Sequence, residues 1–311
     1  MNEITRVKVN DLLQFSSEVK QALANGQPVL ALESTVITHG LPWPENLGIA
    51  QAIEQVVREQ QVIPATVAVL HGKLQVGLDA KELEALARLG PKAEKCSHRD
   101  LPFVLQASGS GGTTVAATMM IAAMAGIRIF ATGGLGGVHR GASETFDISA
   151  DLQELARTPV AVVCAGPKAI LDIGLTLEYL ETHGVPVIGY QCDLLPAFYS
   201  RDSGFAVDKR LDSAAEIAQL LQIQWALGMA GAVVANPVPQ EMALDRKTTE
   251  LAIATAIDEA AKGGISGKAL TPWLLARLEQ LTVGKSLLTN QALLLNNARL
   301  GAEIASALAT G

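Results

Sequence analysis

No apolar run in this chain approaches the roughly 18 residues that a membrane-spanning helix needs. Met1 to Asn10 holds no apolar stretch of the kind a secretion signal carries. A soluble, cytoplasmic protein is the expectation. Cysteine is scarce too: Cys96, Cys164 and Cys192 have no CxxC spacing, which argues against a zinc ribbon, a dithiol redox centre or a disulfide framework. They read as reduced, mostly structural thiols. Positive charge is in short supply, with 24 Lys and Arg against 31 Asp and Glu and a net charge of -7. A nucleic-acid backbone is therefore a poor partner, although a local pocket can still hold a small anion. Two nucleotide signatures are missing as well. The glycine-rich Ser108–Val115 stretch has no following Gly-Lys-Ser/Thr and lacks the third dinucleotide-binding glycine, and Lys285-Ser286 has no glycine at the spacing of a phosphate loop.

What is present builds a large core, since hydrophobic residues make up 49% of the chain and charged ones 18%. No linker divides the 311 residues, so residues 1–311 read as a single α/β domain. Pro28–Leu32, Ile127–Ala131, Val160–Ala165, Val185–Tyr190 and Ala230–Ala235 are short apolar runs suited to buried strands. Ala65–Leu70 and Lys73–Gly77, joined by His71-Gly72, predict a hairpin and hence a mixed sheet. Asp11–Ala24, Leu47–Gln60, Lys81–Leu89, Ala214–Leu227, Thr248–Ala261, Pro272–Leu281 and Asn290–Leu308 have helical spacing, and Phe103–Gln106 reads as a further strand.

The chemistry-bearing residues sit in the loops after strands, where open α/β sheets keep their ligand crevice. Lys168 follows the Val160–Ala165 strand, and Pro167 suits the first position of a helix running to Gly184. An ammonium there meets a helix N-terminus and partial burial, both of which favour the neutral, nucleophilic amine. A solvated lysine over a helix start is the plainer alternative for this stretch alone. Glu33 ends a buried strand beside Ser34 and Thr35, as either a hydrogen-bonding residue or a catalytic acid. Lys95, His98 and Arg99 gather positive charge in a polar segment that is either a solvated loop or an anion clamp. Ser108–Val115 offers backbone amides at a helix start, a cradle for phosphate. Thr132–Gly141 contains five glycines, which imply positive φ or close backbone approach in a lid or substrate wall. Asp147 and Asp151 flank hydroxyls in an arrangement suited to a hard divalent cation that keeps its waters, and Ser149 or Asp151 can also cap the helix Leu152–Ala156. Pro196–Gly204 reads as an exposed loop bearing aromatics.

Taken together, ALESTVITHGLP from Ala31, KCSHRDLP from Lys95, GGTTVAATM from Gly111, ATGGLGGVHRGA from Ala131, TFDISADL from Thr145, AGPKAILD from Ala165, Asn236-Pro237-Val238-Pro239 and the asparagine-rich C-terminal helix resemble the pseudouridine-5′-phosphate glycosidase family. These motifs occur in family order over nearly the whole chain. The resemblance implies a three-layer α/β/α sandwich around a mixed, largely parallel sheet, and a homotrimer. It implies reversible cleavage of the C–C glycosidic bond of pseudouridine 5′-phosphate to uracil and ribose 5-phosphate, with one divalent metal per subunit, usually Mn²⁺. Carried over by position, Lys168 matches the lysine that bonds the sugar C1′, Glu33 the proton donor and Asp147 the metal ligand. Ser149, Ala150 and Asp151 match a substrate-binding run, Lys95 and Val115 further substrate contacts, and Thr132, His139 and Asn290 additional ones. His98 stands where the family has an arginine, and Thr289-Asn290-Gln291 departs from Ala-Asn-Ile.

The implied chemistry is physically coherent. Expelling a uracil carbon needs an electron sink, which a Lys168 iminium at C1′ of an opened ribose supplies once C5 of the base gains a proton. Glu33 would shuttle protons and Asp151 would polarise sugar hydroxyls or assist the amine. Two alternatives remain at this stage: a Schiff-base enzyme joining a sugar phosphate to another heterocycle, and a catalytically silent binder of uridine nucleotides. A separate pseudouridine kinase is the expected pathway neighbour.

Overall fold

Successive side chains of a strand point to opposite faces of its sheet, and the short apolar runs of this chain use both. The computed structural model describes residues 8–265 and 270–310, so most of the Met1–Asn10 segment lies outside it. Its strands are β1 (Leu13–Phe15), β2 (Val29–Leu32), β3 (Ile63–Leu70), β4 (Lys73–Val76), β5 (Glu94–Cys96), β6 (Gly111–Thr113), β7 (Ile129–Ala131), β8 (Val138–His139), β9 (Ala161–Cys164), β10 (Leu171–Asp172), β11 (Val187–Tyr190), β12 (Lys209–Leu211) and β13 (Ala232–Ala235). Eleven of them form one mixed sheet with the main order β1-β4-β3-β2-β7-β9-β13-β11-β12. Every pairing from β3 through β12 along that path is parallel.

Alternation assigns each residue to a layer. Leu30, Leu32, Ile129, Ala131, Val163 and Val234 pack with the helices Glu45–Glu59, Ala214–Ala226, Arg246–Lys262 and Lys285–Thr310 on one face. Their neighbours Val29, Ala31, Phe130, Val162, Cys164 and Val233 pack with Ser17–Ala24, Val115–Met124, Ala150–Leu155 and Ile173–Thr182 on the other. Helices therefore cover both faces of a largely parallel sheet, as expected from strands that are apolar all round. No helix among the described residues is long and apolar enough to cross a membrane.

Two departures from regular parallel order shape one end of the sheet. The expected hairpin forms between β3 and β4, with His71 and Gly72 at φ of 49° and 74°, the left-handed values of a tight turn. β6 pairs antiparallel with Ala68 and Val69 of β3, beyond the residues of β3 that pair with β2. The chain leaving β2 thus meets β6 at once: the Ser34 hydroxyl donates to Val67 O at 2.6 Å and accepts from Thr113 N at 2.9 Å. Only glycine fits at 112, because an added Cβ would lie 2.9 Å from Ser34 O.

Several local expectations fail for identifiable reasons. Lys168 is not in the first turn of a helix. Pro167 instead bridges to Leu135, Lys168 N donates to Leu135 O at 3.0 Å, and the helix begins at Ile173, where the Asp172 carboxylate caps Leu175 N. The helix-dipole effect inferred for Lys168 accordingly has no geometric basis. Phe103–Gln106 is helical rather than extended, since Pro102 fits the first turn of Leu101–Gln106 and the amides of Phe103 and Val104 return to Asp100 O. Asp11–Ala24 is broken by β1, after which Ser16 caps a new helix at Val19 N. The polar segment after Lys92 contains β5, and the glycine-rich stretch contains β6. The aromatics of Pro196–Gly204 are not exposed: Phe198 and Tyr199 are 4% and 3% accessible, packed edge to face at 4.7 Å.

A candidate active site at the strand ends

The C-terminal ends of β2, β7, β9 and β13 come together, and a buried asparagine pair fixes them. Asn297 Nδ2 donates to Thr132 O at 2.8 Å while Asn236 Nδ2 donates to Asn297 Oδ1 at 3.0 Å. Asn236 N closes the frame on Cys164 O at 2.8 Å. Buried amides of this kind need full hydrogen bonding, so the C-terminal helix is locked in register against the ends of β7, β9 and β13.

Over this frame lies a cavity of about 410 Å³, within the range of small-ligand sites. Glu33, Lys95, Val115, His139, Asp147, Ser149, Ala150, Asp151, Lys168 and Asn290 all line it. Of the residues singled out from the sequence, Thr132 and His98 are absent from the wall; Thr132 lies directly behind it. It is 2% accessible and acts one step back, donating its hydroxyl to Glu33 Oε1 while Thr35 donates to Oε2. Both oxygens of Glu33 are thereby held by neutral donors on different loops, which fixes the carboxyl rotamer without a cation.

Lys168 is half-buried, and its ammonium makes no ion pair or hydrogen bond among the described residues. Its loop is held by backbone. Gly134 lies against it so closely that a Cβ there would sit 2.9 Å from Gly166 O and 2.5 Å from the Phe198 ring. Phe198 N in turn donates to Ala165 O at 2.9 Å.

The glycine-rich loop after β7 forms the wall, and close approach is the reason for most of its glycines. Gly141 alone among the five takes a positive φ, 78°. At Gly136 a Cβ would lie 2.6 Å from Asp151 Oδ2 and would strike the Ser149 hydroxyl. The space goes to a hydrogen bond: Gly136 N donates to Asp151 Oδ2 at 2.8 Å and Ala116 N to Asp151 Oδ1 at 2.9 Å. Asp151, 6% accessible, thus ties this loop to the start of helix Val115–Met124. Ser149 caps the helix Ala150–Leu155 through Asp151 N.

Asp147 is half exposed on the same wall, with His139 Nδ1 at 3.9 Å from its Oδ2 and His139 N donating to Asp147 O at 3.0 Å. Among the described residues no group of three or more His, Cys, Asp and Glu converges as a metal cage. This donor set fits a hard cation that keeps most of its waters and takes one carboxylate from the protein.

Of the charged segment, Lys95 and Arg99 reach the cavity wall with Ser97 and Asp100, whereas His98 turns away toward Glu154. His39, Phe198 and Thr114 are among the wall residues that the sequence did not mark. His39 lies in a π-helical turn, Val36–Gly40, that no periodicity marks. Burial, then the Lys95 charge, lowers its pKa, with Glu94 opposing, so the ring is neutral near neutral pH. Phe198 lies in the Pro196–Gly204 segment, whose composition suggests exposure, and Thr114 sits among the residues of the anion cradle. The cysteines are free, and burial pushes Cys164 up to about 12 and Cys192 up to about 11, in keeping with inert thiols.

The chain is similar to known proteins along almost its entire length. A family model described as "Indigoidine synthase A like protein" matches residues 18–307. Proteins named pseudouridine-5′-phosphate glycosidase are 58% identical over 301 residues in Geobacillus kaustophilus (96% of this chain, 100% of that one) and 56% identical over 296 residues in Escherichia coli (95% of each). Among solved structures, the prealnumycin C-glycosynthase AlnA in complex with ribulose 5-phosphate matches with a TM-score of 0.89 and 39% identity, covering 96% of this chain and 97% of that one. An indigoidine synthase A-like protein from Thermotoga maritima matches with a TM-score of 0.88 and 33% identity, over 99% and 100%. With this coverage and identity, the chain belongs to the indigoidine synthase A-like family that includes the pseudouridine-5′-phosphate glycosidases.

Proposed function

We propose that this chain is a pseudouridine-5′-phosphate glycosidase that cleaves its substrate reversibly to uracil and ribose 5-phosphate through a covalent bond between Lys168 and the ring-opened sugar. The observation that carries the reading is the convergence of Lys168, Glu33 and Asp147 on one cavity with Lys95 and Arg99. An amine, a carboxyl group held by two hydroxyls and two cationic side chains suit a sugar phosphate attached to a neutral base.

In this mechanism Glu33 delivers a proton to the ribose ring oxygen as the ring opens, and the Lys168 amine bonds C1′. Glu33 takes back a proton from the alkylated lysine nitrogen and passes it to uracil C5, the C1′–C5 bond breaks, and the freed nitrogen lone pair fills the deficit at C1′ to leave an iminium. Water hydrolyses that iminium to ribose 5-phosphate and returns the amine. Lys95 and Arg99 bind the phosphate with the amides around Val115. Asp151 keeps Ser149 and Ala150 in place, and the second lone pairs of its oxygens are available to sugar hydroxyls. His139 and Asn290 complete the wall around the substrate, and Thr132 holds Glu33. Asp147 would hold a hydrated Mn²⁺, which when bound supplies an electrostatic anchor for substrate.

The protein is read as a cytoplasmic homotrimer that functions beside a nucleoside kinase, because its substrate must arrive phosphorylated. Exposed apolar side chains such as Phe146, 81% accessible, support burial against another copy. A second reading, a C-glycosynthase joining ribose 5-phosphate to another heterocycle, draws on the likeness to AlnA, but that protein is 39% identical against 58% for a glycosidase. One experiment separates the readings. Purified protein is mixed with uracil or other heterocycles, ribose 5-phosphate and Mn²⁺, with and without chelator. Pseudouridine 5′-phosphate should form from uracil; formation of a C-nucleotide solely from another heterocycle would overturn the reading.

A further inference from the structure

His98 does not share the fate of its neighbours. Ser97 and Arg99 on either side line the cavity, whereas the His98 ring is directed to helix Ala150–Leu155, where Nδ1 lies 3.8 Å from Glu154 Oε2. Nδ1 is buried and has no hydrogen-bond partner. Glu154, 8% accessible, receives one hydroxyl hydrogen bond, from Thr158 to Oε1, and its Oε2 faces the imidazole. A buried carboxylate with a single neutral donor and a buried ring nitrogen with none are each poorly satisfied alone, and they satisfy one another when Nδ1 carries the ring hydrogen.

The two residues also join two walls of the site that lie on different elements. The turn bearing Ser97 and Arg99 is held internally, by Asp100 N to Ser97 O at 2.9 Å and Ser97 N to Asp100 Oδ2 at 3.0 Å. Glu154 stands one turn beyond Ala150 and Asp151, whose side of the helix forms the opposing wall. A contact between His98 and Glu154 therefore sets the distance between the cationic turn and the hydroxyl-binding wall.

We propose that His98 is a positioning residue, a strut to Glu154 that holds Ser97 and Arg99 at the spacing a sugar phosphate requires. This deepens the glycosidase reading and rests on it. Loss of the strut should loosen phosphate binding and leave the Lys168 chemistry intact.

The test compares His98→Ala, His98→Arg, Glu154→Gln and the double variant H98A/E154Q with the unaltered chain in cleavage of pseudouridine 5′-phosphate, with thermal melts as folding controls. His98→Ala and Glu154→Gln should each raise KM about tenfold with kcat little changed, the double variant should be no worse than either, and His98→Arg should retain the original KM. Unchanged KM in His98→Ala, additive losses in the double variant, or a fall in kcat alone would overturn the strut. Should His98→Ala fail to fold, His98→Leu, which keeps bulk without a donor, carries the same expectations. Absence of turnover by the unaltered chain would overturn the glycosidase reading, and calorimetry with ribose 5-phosphate then tests the strut separately: binding should weaken about tenfold in the variants, and equal affinity would end it.

Discussion

The hydroxyl of Thr132, at the end of β7, donates to Glu33 Oε1 at the end of the neighbouring strand β2. Thr132 is absent from the cavity wall, so its effect on the reaction passes through the carboxyl it holds. Thr132→Val keeps the shape and removes the donor. A fall in kcat of about tenfold is expected, the scale of one hydrogen bond, with KM nearly unchanged. Thr35→Val removes the other donor, and the double variant should lose more than either. Steady-state kinetics check this; unchanged kcat in both single variants would show that Glu33 needs no such alignment.

Gly136 gives a sharper test of the wall. A methyl group there would displace both the Ser149 hydroxyl and Asp151 Oδ2. Gly136→Ala should therefore lower activity by at least about a hundredfold and depress the melting temperature, because the Asp151 bonds to Gly136 N and Ala116 N break together. Gly141→Ala is the control: nothing lies within 4 Å of its Cβ, so its modest cost comes from the positive φ alone. Melting curves and kcat/KM distinguish the two.

The contrast between these glycines also shows what could be read in the sequence. Their number announced a crowded or strained loop, but whether crowding or φ was the cause depends on Ser149, Asp151, Phe198 and Thr176, partners supplied by distant segments. The layered sheet was legible because strands such as Val160–Ala165 are apolar on both faces. That Lys168 follows the end of a buried strand was legible; that it lies in a loop and not in a helix start was not, because Pro167 suits a helix start as well as the bridge to Leu135 that it makes. Phe103–Gln106 went the same way, where the local β preference of Phe and Val yielded to a proline and to carbonyls that accept helical amides. Periodicity did not mark His39 as a wall residue, since a π-helical turn leaves no period in the sequence.

His39 carries a prediction about pH. Its folded pKa is lowered from the ordinary 6.5, first by burial and then by Lys95. Between that lowered value and 6.5 the unfolded chain binds more protons than the folded one, so stability rises with pH across this window. The contribution is fully present above 6.5 and is lost as pH falls through 6.5 toward the folded value. His39→Gln should flatten this part of the melting-temperature profile, and an NMR titration should place the His39 midpoint below 6.5. A midpoint above 6.5 would contradict the neutral ring assigned to the cavity wall.

Lys168 and Lys95 both reach the cavity, so the identity of the nucleophile is open to direct test. Backbone contacts on both sides fix Lys168, with its own amide on Leu135 O and Phe198 N on Ala165 O. Lys95 lies close enough to His39 to lower its pKa, as a charged side chain does. An amine that must attack C1′ has to be unprotonated and aimed, whereas a phosphate anchor has to stay cationic. Borohydride added to protein with ribose 5-phosphate should fix the pentose on Lys168, detectable in a peptide map as one modified lysine. Lys168→Ala should lose adduct and turnover by more than about a thousandfold, and Lys168→Arg should do no better because a guanidinium stays protonated. Lys95→Ala should still form the adduct, at higher ribose 5-phosphate concentration. An adduct on Lys95, or turnover surviving in Lys168→Ala, would exchange the two roles.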